Sequence, residues 1–164
     1  MSRAAMKNLQ ARAKDILSKR AADRRVAAVD GFLFALESLC GETNKGVSFD
    51  FAWIDGTADR ALEAVTRHHG PNFKLALNPL ADWRVELTSD LLGGGFLPAS
   101  LPPPVRRRLV EAFVVLLNRA CADTATAWRV EAEPKDQSYY HCAWRTYLFP
   151  TPDGLLLLHC SIDD

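Results

Sequence analysis

Three segments of alternating apolar and polar residues near the C-terminal end constrain the fold of this chain more than any other feature. They cover residues 127–133, 140–149 and 155–162. The connections between them, at residues 134–136 and 152–154, contain Pro, Asp and Gly, which favour turns. Alternation of this kind is typical of β-strands with one buried face. The pattern therefore predicts an antiparallel three-stranded meander.

The alternation also predicts which side chains of the meander share a face. The apolar set, expected to face the core, is Trp128, Val130, Tyr140, Cys142, Trp144, Leu148, Leu156, Leu158, Cys160 and Ile162. The set expected on the outer face is Arg129, Glu131, His141, Arg145, Tyr147, His159, Ser161 and Asp163. Keeping the apolar sets together pairs Trp144 with Cys160 and Trp128 with Trp144, or places them in registers shifted by two. A slip of one residue would move a whole set to the other face.

The rest of the chain combines helical and extended patterns. Apolar residues recur at the helical period in residues 1–25, 26–40, 57–70 and 104–121, and alternate in residues 47–54. Two short apolar segments at residues 73–77 and 83–87 predict a hairpin, and residues 89–104 predict a Gly- and Pro-rich surface loop. The expected fold is a single α+β domain over residues 1–164, with helices at the N-terminus. Those helices and a central apolar helix at 104–121 pack on one face of an antiparallel sheet.

Charge is distributed unevenly along the chain. Its 20 basic and 20 acidic residues cancel, which argues against a wholly basic nucleic-acid-binding protein. Residues 1–25 hold eight basic and two acidic residues, so this amphipathic helical leader carries a charge of +6 and the remainder −6. The leader could fold onto the acidic body, bind nucleic acid, or lie on a membrane surface. We expect the leader to fold onto the acidic body, because this needs no other molecule. The apolar face of the leader is small and rich in Ala, which argues against binding to a membrane surface.

Cysteine spacing gives no indication of a metal site. Cys40, Cys121, Cys142 and Cys160 are far apart and lack the close C-x-x-C spacing typical of zinc ligands. Each lies among apolar neighbours, where a thiol behaves as a small hydrophobic group. We therefore expect reduced cysteines in a soluble cytoplasmic protein without a metal or cofactor. The apolar runs are far shorter than the ~20 residues of a membrane span, so no membrane partner is expected.

The expected outer face of the meander carries the residues best suited to chemistry. In the predicted register Glu131, His141 and Asp163 form one row across three strands, and Arg145 lies beside His159. A carboxylate beside an imidazole raises the pKa of the histidine and equips it as a general acid or base. Exposed sheets also carry such cross-strand charge pairs without any catalytic role. The row is therefore an alternative to a charged face that binds a partner.

Apolar and aromatic residues adjoin the charges at one end of this face. Tyr147 and Leu157 lie near Arg129 and Arg145 in the predicted arrangement. Tyr and Arg beside an aliphatic patch have the composition of a protein-interface hot spot. The competing interpretation is that the N-terminal helices cover this end.

Two further motifs have both a functional and a structural interpretation. Arg106, Arg107 and Arg108 begin the predicted central helix, where positive charge opposes the helix dipole. They are either a site for an anion or acidic partner, or they form ion pairs with the acidic body. His68 and His69 close a helix without the spacing of a metal-binding motif.

The sequence therefore predicts a small protein-binding module, such as a neutralising partner, adaptor or chaperone, rather than an enzyme. Its expected binding residues are Arg129, Glu131, His141, Arg145, Tyr147, Leu157, His159, Arg106, Arg107 and Arg108. The expected partner is another protein, with nucleic acid at the basic leader and a homodimer as further alternatives. The alternative function is a small enzyme or ligand-binding protein with Glu131, His141 and His159 in a sheet-lined pocket.

Overall fold

The computed structural model describes residues 3–40, 46–135 and 143–163, with side chains of the first helix described at residues 14, 17 and 19–40. The elements in this part of the chain are α1 (Arg3–Cys40), β1 (Gly46–Ile54), α2 (Ala61–His69), β2 (Phe73–Pro79), α3 (Trp83–Gly93), α4 (Pro103–Ala120), β3 (Trp128–Pro134), β4 (Ala143–Thr151) and β5 (Gly154–Asp163). These strands form one antiparallel sheet in the order β1-β5-β4-β3-β2. The predicted α+β class and C-terminal meander are confirmed.

Both faces of the sheet are covered by helices. On one face, α1, α3 and α4 share a hydrophobic cluster with the sheet that includes Leu33, Leu87, Phe113 and Phe149. On the other face, α2 contributes Val65 to a second cluster. The sheet is therefore a central layer, which limits how much of either face can bind a partner. No helix in the described ranges has the length and apolar composition needed to cross a membrane.

The first two predicted helices form one continuous helix. The expected break between residues 25 and 26 is wrong: α1 runs without interruption for 38 residues. No Gly or Pro occurs between residues 3 and 30, and the segment is rich in Ala, Arg and Lys, which have high helix propensity. The basic leader therefore continues the axis of α1 and has no turn at which it could fold back.

The second half of the predicted hairpin is a helix instead. Residues 83–87 were expected to be extended because Trp83, Val85 and Leu87 alternate, but they begin α3. Trp83, Leu87 and Leu91 recur every four residues and are buried, which is the spacing of one helix face. The side chain of Asp82 accepts hydrogen bonds from the first backbone N–H groups of α3 and so begins the helix.

The Asp82 cap gives a direct stability prediction. Asp82→Ala should lower the free energy of unfolding by about 1 kcal/mol, since it leaves the N–H groups of Arg84 and Val85 without their acceptor. Chemical denaturation measures this loss. The control Ser89→Ala, at an exposed position of the same helix, should change stability by less than about 0.5 kcal/mol. Equal losses in both variants would contradict the capping role.

A two-residue connection sets the register between β4 and β5. Pro152 and Asp153 link Thr151 to Gly154, and these two residues pair directly. From this turn the register places Trp144 opposite Ser161. The predicted pairing of Trp144 with Cys160 is therefore wrong by one residue. Because the turn fixes the register of a hairpin, its length overrides the apolar pattern here.

This single-residue difference redistributes the side chains between the two faces. Tyr147 pairs with Leu158 and Arg145 with Cys160, so Tyr147 and Arg145 face the larger cluster. The predicted pairing of Trp128 with Trp144 is also wrong: Trp128 pairs with Leu148. The observed pairing differs from the predicted one by four residues. Because four is an even number, the side chains of β3 and β4 that were predicted to share a face still share it.

Candidate functional site

The pairing between β3 and β4 stops part-way along both strands. Three residue pairs join them, from Trp128–Leu148 to Val130–Thr146. Beyond these pairs β3 stays paired with β2, and β4 stays paired with β5. The gap between them is a cleft of about 830 Å³. Its described lining residues are Lys74, Leu75, Ala76, Arg129, Val130, Glu131, Ala132, Glu133, Ala143, Trp144, Arg145 and Thr146.

Ala132 presents main-chain groups to this cleft. The N–H of Leu80 donates to the Ala127 carbonyl at 3.0 Å. At the other end of the ladder, the N–H of Lys135 donates to the Asn72 carbonyl at 2.9 Å. The main chain of odd-numbered β3 residues therefore faces β2, and that of even-numbered residues faces β4. Ala132 lies beyond the last β4 pair, so its N–H and C=O have no partner within the described ranges.

Asp90, on α3, contacts three side chains of the sheet, two of which line the cleft. Its carboxylate accepts a hydrogen bond from Arg129 at 2.7 Å, lies 3.3 Å from the Nε of Arg145, and accepts from the Tyr147 hydroxyl. Arg129 also contacts Glu86 at 3.2 Å. The side chain of Asp90 is 17% exposed, whereas Tyr147 is fully buried. One carboxylate thus positions two guanidinium groups in the cleft wall.

The electrostatics of this network favour binding over proton transfer. Burial raises the pKa of Tyr147, and the hydrogen bond to Asp90 raises it further. Burial by itself would lower the pKa of Arg129, but the hydrogen bond with Tyr147 and the charges of Asp90 and Glu86 raise it overall. Tyr147 therefore stays a neutral donor and Arg129 a cation. Such groups can orient a ligand but do not exchange protons readily near neutral pH.

His159 lies on the opposite face of the sheet, behind the cleft wall. Its Nδ1 is 2.7 Å from the Oγ1 of Thr146, and its ring stacks on Trp144 with 6.4 Å between centroids. Thr146 and Trp144 both line the cleft. The ring of His69, at the end of α2, is 6.3 Å from that of His159. The histidines therefore support the wall and do not line it.

His69 makes the packing of α2 sensitive to pH. Burial lowers the pKa of His69, and the neighbouring His68 lowers it further. The folded protein then binds fewer protons at this site than the unfolded chain, so stability should fall as pH drops below about 6.5. In His69→Gln this part of the decline should disappear, which melting curves between neutral and mildly acidic pH can measure.

His68→Gln is the matched control for that prediction. Because burial is the larger cause of the shift at His69, the His68 variant should keep most of the pH dependence. The same decline in the His69→Gln variant as in the unchanged protein would contradict the assignment.

The structure separates the residues predicted to share an outer face. Arg129, Glu131 and Arg145 line the cleft together. Tyr147 and Leu157 are both buried, in the clusters on opposite faces of the sheet. The prediction that these residues form one exposed surface is therefore wrong, and the cause is the register of β5.

The predicted acid–base row does not form either. By strand alternation Glu131 shares the face of Tyr147, whereas Asp163 shares the face of His159 and pairs with Gly46. Glu131 and Asp163 thus lie on opposite faces. His141, the third member of the row, lies outside the described residues.

The remaining predicted residues lie away from the cleft lining. Arg106, Arg107 and Arg108 are near the start of α4, as expected, and form no ion pair with any carboxylate in the described ranges. The Nε of Arg106 is buried there without a hydrogen-bond partner. An acidic partner for this triplet stays a prediction.

Three cysteines of the described ranges are buried thiols. Burial raises the pKa of Cys40, Cys121 and Cys160, which keeps these thiols protonated. Cys142 lies outside the described residues. Within the described ranges no three His, Cys, Asp or Glu side chains form a group that could hold a metal ion.

Asp90 and Glu86 are the site residues that sequence reasoning missed. Both belong to α3, a segment interpreted as a strand followed by a loop. The signal that could have found them is Asp82 followed by apolar residues spaced every four positions, which predicts a capped helix.

No protein-family model, curated protein or solved structure matches this chain.

Proposed function

We propose that this protein is a binding module that holds an extended peptide segment of a partner protein in the cleft between β3 and β4. The observation that carries the proposal is the parting of two neighbouring strands that both stay paired on their outer sides. Such a gap leaves main-chain groups facing a space that an added strand can fill. The proposal keeps the protein-binding class expected from the sequence and moves the site from the outer face to the cleft.

Main-chain pairing supplies the part of binding that does not depend on the peptide's sequence. The N–H and C=O of Ala132 face the cleft beyond the last β4 pair. A peptide lying antiparallel to β3 can satisfy both groups, as in strand addition at a sheet edge.

Side chains around the cleft supply specificity. Lys74 and Glu133 lie 3.8 Å apart and are both well exposed, while Arg145 is 44% exposed. Trp144 adds an aromatic surface to the lining. A cleft with both signs of charge and one indole favours a strand that alternates charged and apolar residues.

A second candidate function is the binding of a small carboxylate, as a ligand or as the substrate of a small enzyme. The cleft volume of about 830 Å³ lies within the usual range of small-molecule sites. Arg129 and Arg145 are also the residue type best suited to carboxylate recognition. This candidate differs from the first in requiring no main-chain pairing to Ala132.

A larger side chain introduced on β3, where it narrows the cleft, tests peptide binding. The full chain is screened against an immobilised library of peptides of about ten residues, and binding of the selected peptide is measured by titration. Ala132→Phe, which places a ring among the lining residues, should weaken binding by at least about tenfold. The control Ala112→Phe, at an exposed position of α4, should leave the affinity within about twofold.

A second variant guards against misfolding of the first. Glu133→Lys changes an exposed charge at the cleft rim and should alter the peptide preference toward acidic residues without lowering the melting temperature. Failure of all library peptides to bind, or binding that Ala132→Phe leaves unchanged, would contradict the proposal. Saturable binding of small carboxylates in place of peptides would establish the second candidate.

A further inference from the structure

The N-terminal half of α1 extends beyond the part of the helix that packs on the sheet. The described side chains before Ala22, those of Lys14, Leu17, Lys19, Arg20 and Ala21, are all exposed, and Ala22 is the first buried one. Leu17 is 66% exposed. Residues 3–21 correspond to about 28 Å of helix. We call this segment the arm.

The charge of the arm is unfavourable for an isolated helix. The first turn of α1 contains no acidic residue, although the helix dipole favours negative charge there. Arg3 and Lys7 lie near the start of α1, where positive charge is unfavourable to the dipole, and most helical stability in proteins comes from tertiary packing. A negatively charged surface placed against the arm would remove both problems.

Such a surface lies where the arm leaves the body. A groove of about 530 Å³ is lined by Lys19, Ala22, Asp23, Trp53, Ile54, Asp55, Gly56, Asp153 and Gly154. Asp23, Asp55 and Asp153 are exposed, so the groove combines three carboxylates with the half-buried ring of Trp53. A basic helix with apolar residues is complementary to this lining in both charge and polarity.

We propose that the arm of one molecule binds the acidic groove of a second copy, and that the second copy's arm binds the first groove in return. Lys19, near the end of the arm, lies at the edge of the groove of its own chain. Because α1 is unbroken, the arm residues before it continue along the helix axis and have no turn at which to fold back over the groove. The arm holds six basic residues and one acidic residue, whereas the groove lining holds three aspartates beside Lys19, so the two surfaces are complementary in charge. Reciprocal exchange of this kind gives a closed dimer with two-fold symmetry.

Complementary charge reversals test the exchange in the full chain. Lys14→Glu with Arg20→Glu makes the arm more acidic, and Asp55→Lys with Asp153→Lys makes the groove basic. Sedimentation velocity at about 50 mM salt should show a dimer for the unchanged protein, and the dimer should weaken at high salt. Each double variant alone should weaken self-association by at least about tenfold.

Mixing the two double variants is the decisive step. The acidic arm of the arm variant then meets the basic groove of the groove variant. The unchanged arm of the groove variant likewise meets the unchanged groove of the arm variant, so an equimolar mixture should regain the dimer. Matched controls with the same charge changes elsewhere, Arg107→Glu with Arg108→Glu and Glu131→Lys with Glu133→Lys, should leave self-association within about twofold. The second control changes two residues that line the cleft. If it leaves self-association unchanged, self-association does not depend on the proposed peptide site.

Two results would overturn the exchange. One is a monomer at low salt up to about 100 μM, a concentration at which even weak dimers are populated. The other is a dimer whose affinity neither reversal changes. A protein that stays monomeric and whose arm binds nucleic acid would give the first of these results and would also overturn the exchange.

Discussion

Trp83→Ala should lower the free energy of unfolding by about 3–5 kcal/mol, the largest stability loss we expect from a single substitution. The side chain is fully buried, and its ring meets that of Phe149 edge to face at 5.1 Å. The indole N–H donates to the Thr124 carbonyl at 3.0 Å, which ties α3 to the chain preceding β3. Removing the ring leaves a cavity between α3 and the sheet, measurable as a shift of the denaturation midpoint.

Val85→Ala is the matched control on the same helix. Val85 is 64% exposed, so its truncation should cost less than about 0.5 kcal/mol. In an extended strand Trp83 and Val85 would share a face and lose similar amounts on truncation. A similar loss in both variants would therefore contradict the helical assignment of this segment.

Asp90→Ala should have the second largest effect, about 3 kcal/mol. It removes the acceptor of the buried Tyr147 hydroxyl and the charge that faces Arg129 and Arg145. The cleft should also lose its peptide affinity, because both guanidinium groups lose their positions. Denaturation and peptide titration measure the two effects separately. Glu86→Ala removes only the more exposed partner of Arg129 and should cost less than about 1 kcal/mol.

A double-mutant cycle separates the hydroxyl from the rest of the network. In a Tyr147→Phe background no buried hydroxyl is left without an acceptor, so Asp90→Ala should cost about 1–2 kcal/mol less than in the unchanged protein. Additive losses would show that Asp90 and Tyr147 do not act together, and would contradict this network.

The alternating segments predicted most of the strands because at least one face of each is apolar. What alternation could not predict was the register between two strands that are apolar on both faces. β5 places Leu155 and Leu157 against α2, and Leu156 and Leu158 against the opposite layer. With both sets apolar, hydrophobicity does not choose between them, and the two-residue turn decides the register.

The site was harder to predict, for two physical reasons. Trp83, Val85 and Leu87 fit a period of two over five residues, and only the longer window that includes Asp82 and Leu91 favours a helix. Asp90 was therefore not expected beside the sheet. The cleft itself depends on where β3 and β4 stop pairing, which is a tertiary property without a local signal. Arg129, Glu131 and Arg145 were nevertheless identified, because their alternation with apolar neighbours is local.

The uneven charge of the chain was evident from its sequence, but the direction of the leader was not. Patterns in residues 1–25 and 26–40 were interpreted as two helices, which allowed the basic one to fold back. The uninterrupted α1 leaves no turn between the two segments at which the basic one could fold back.

Hydrogen exchange at the Ala132 amide tests the central claim most directly. If a peptide strand pairs with β3 in the cleft, this amide should exchange more slowly when the selected peptide is bound. The Val130 amide, already within the β3–β4 ladder, should change much less. An Ala132 amide that exchanges at the same rate with the peptide bound as without it would contradict the account.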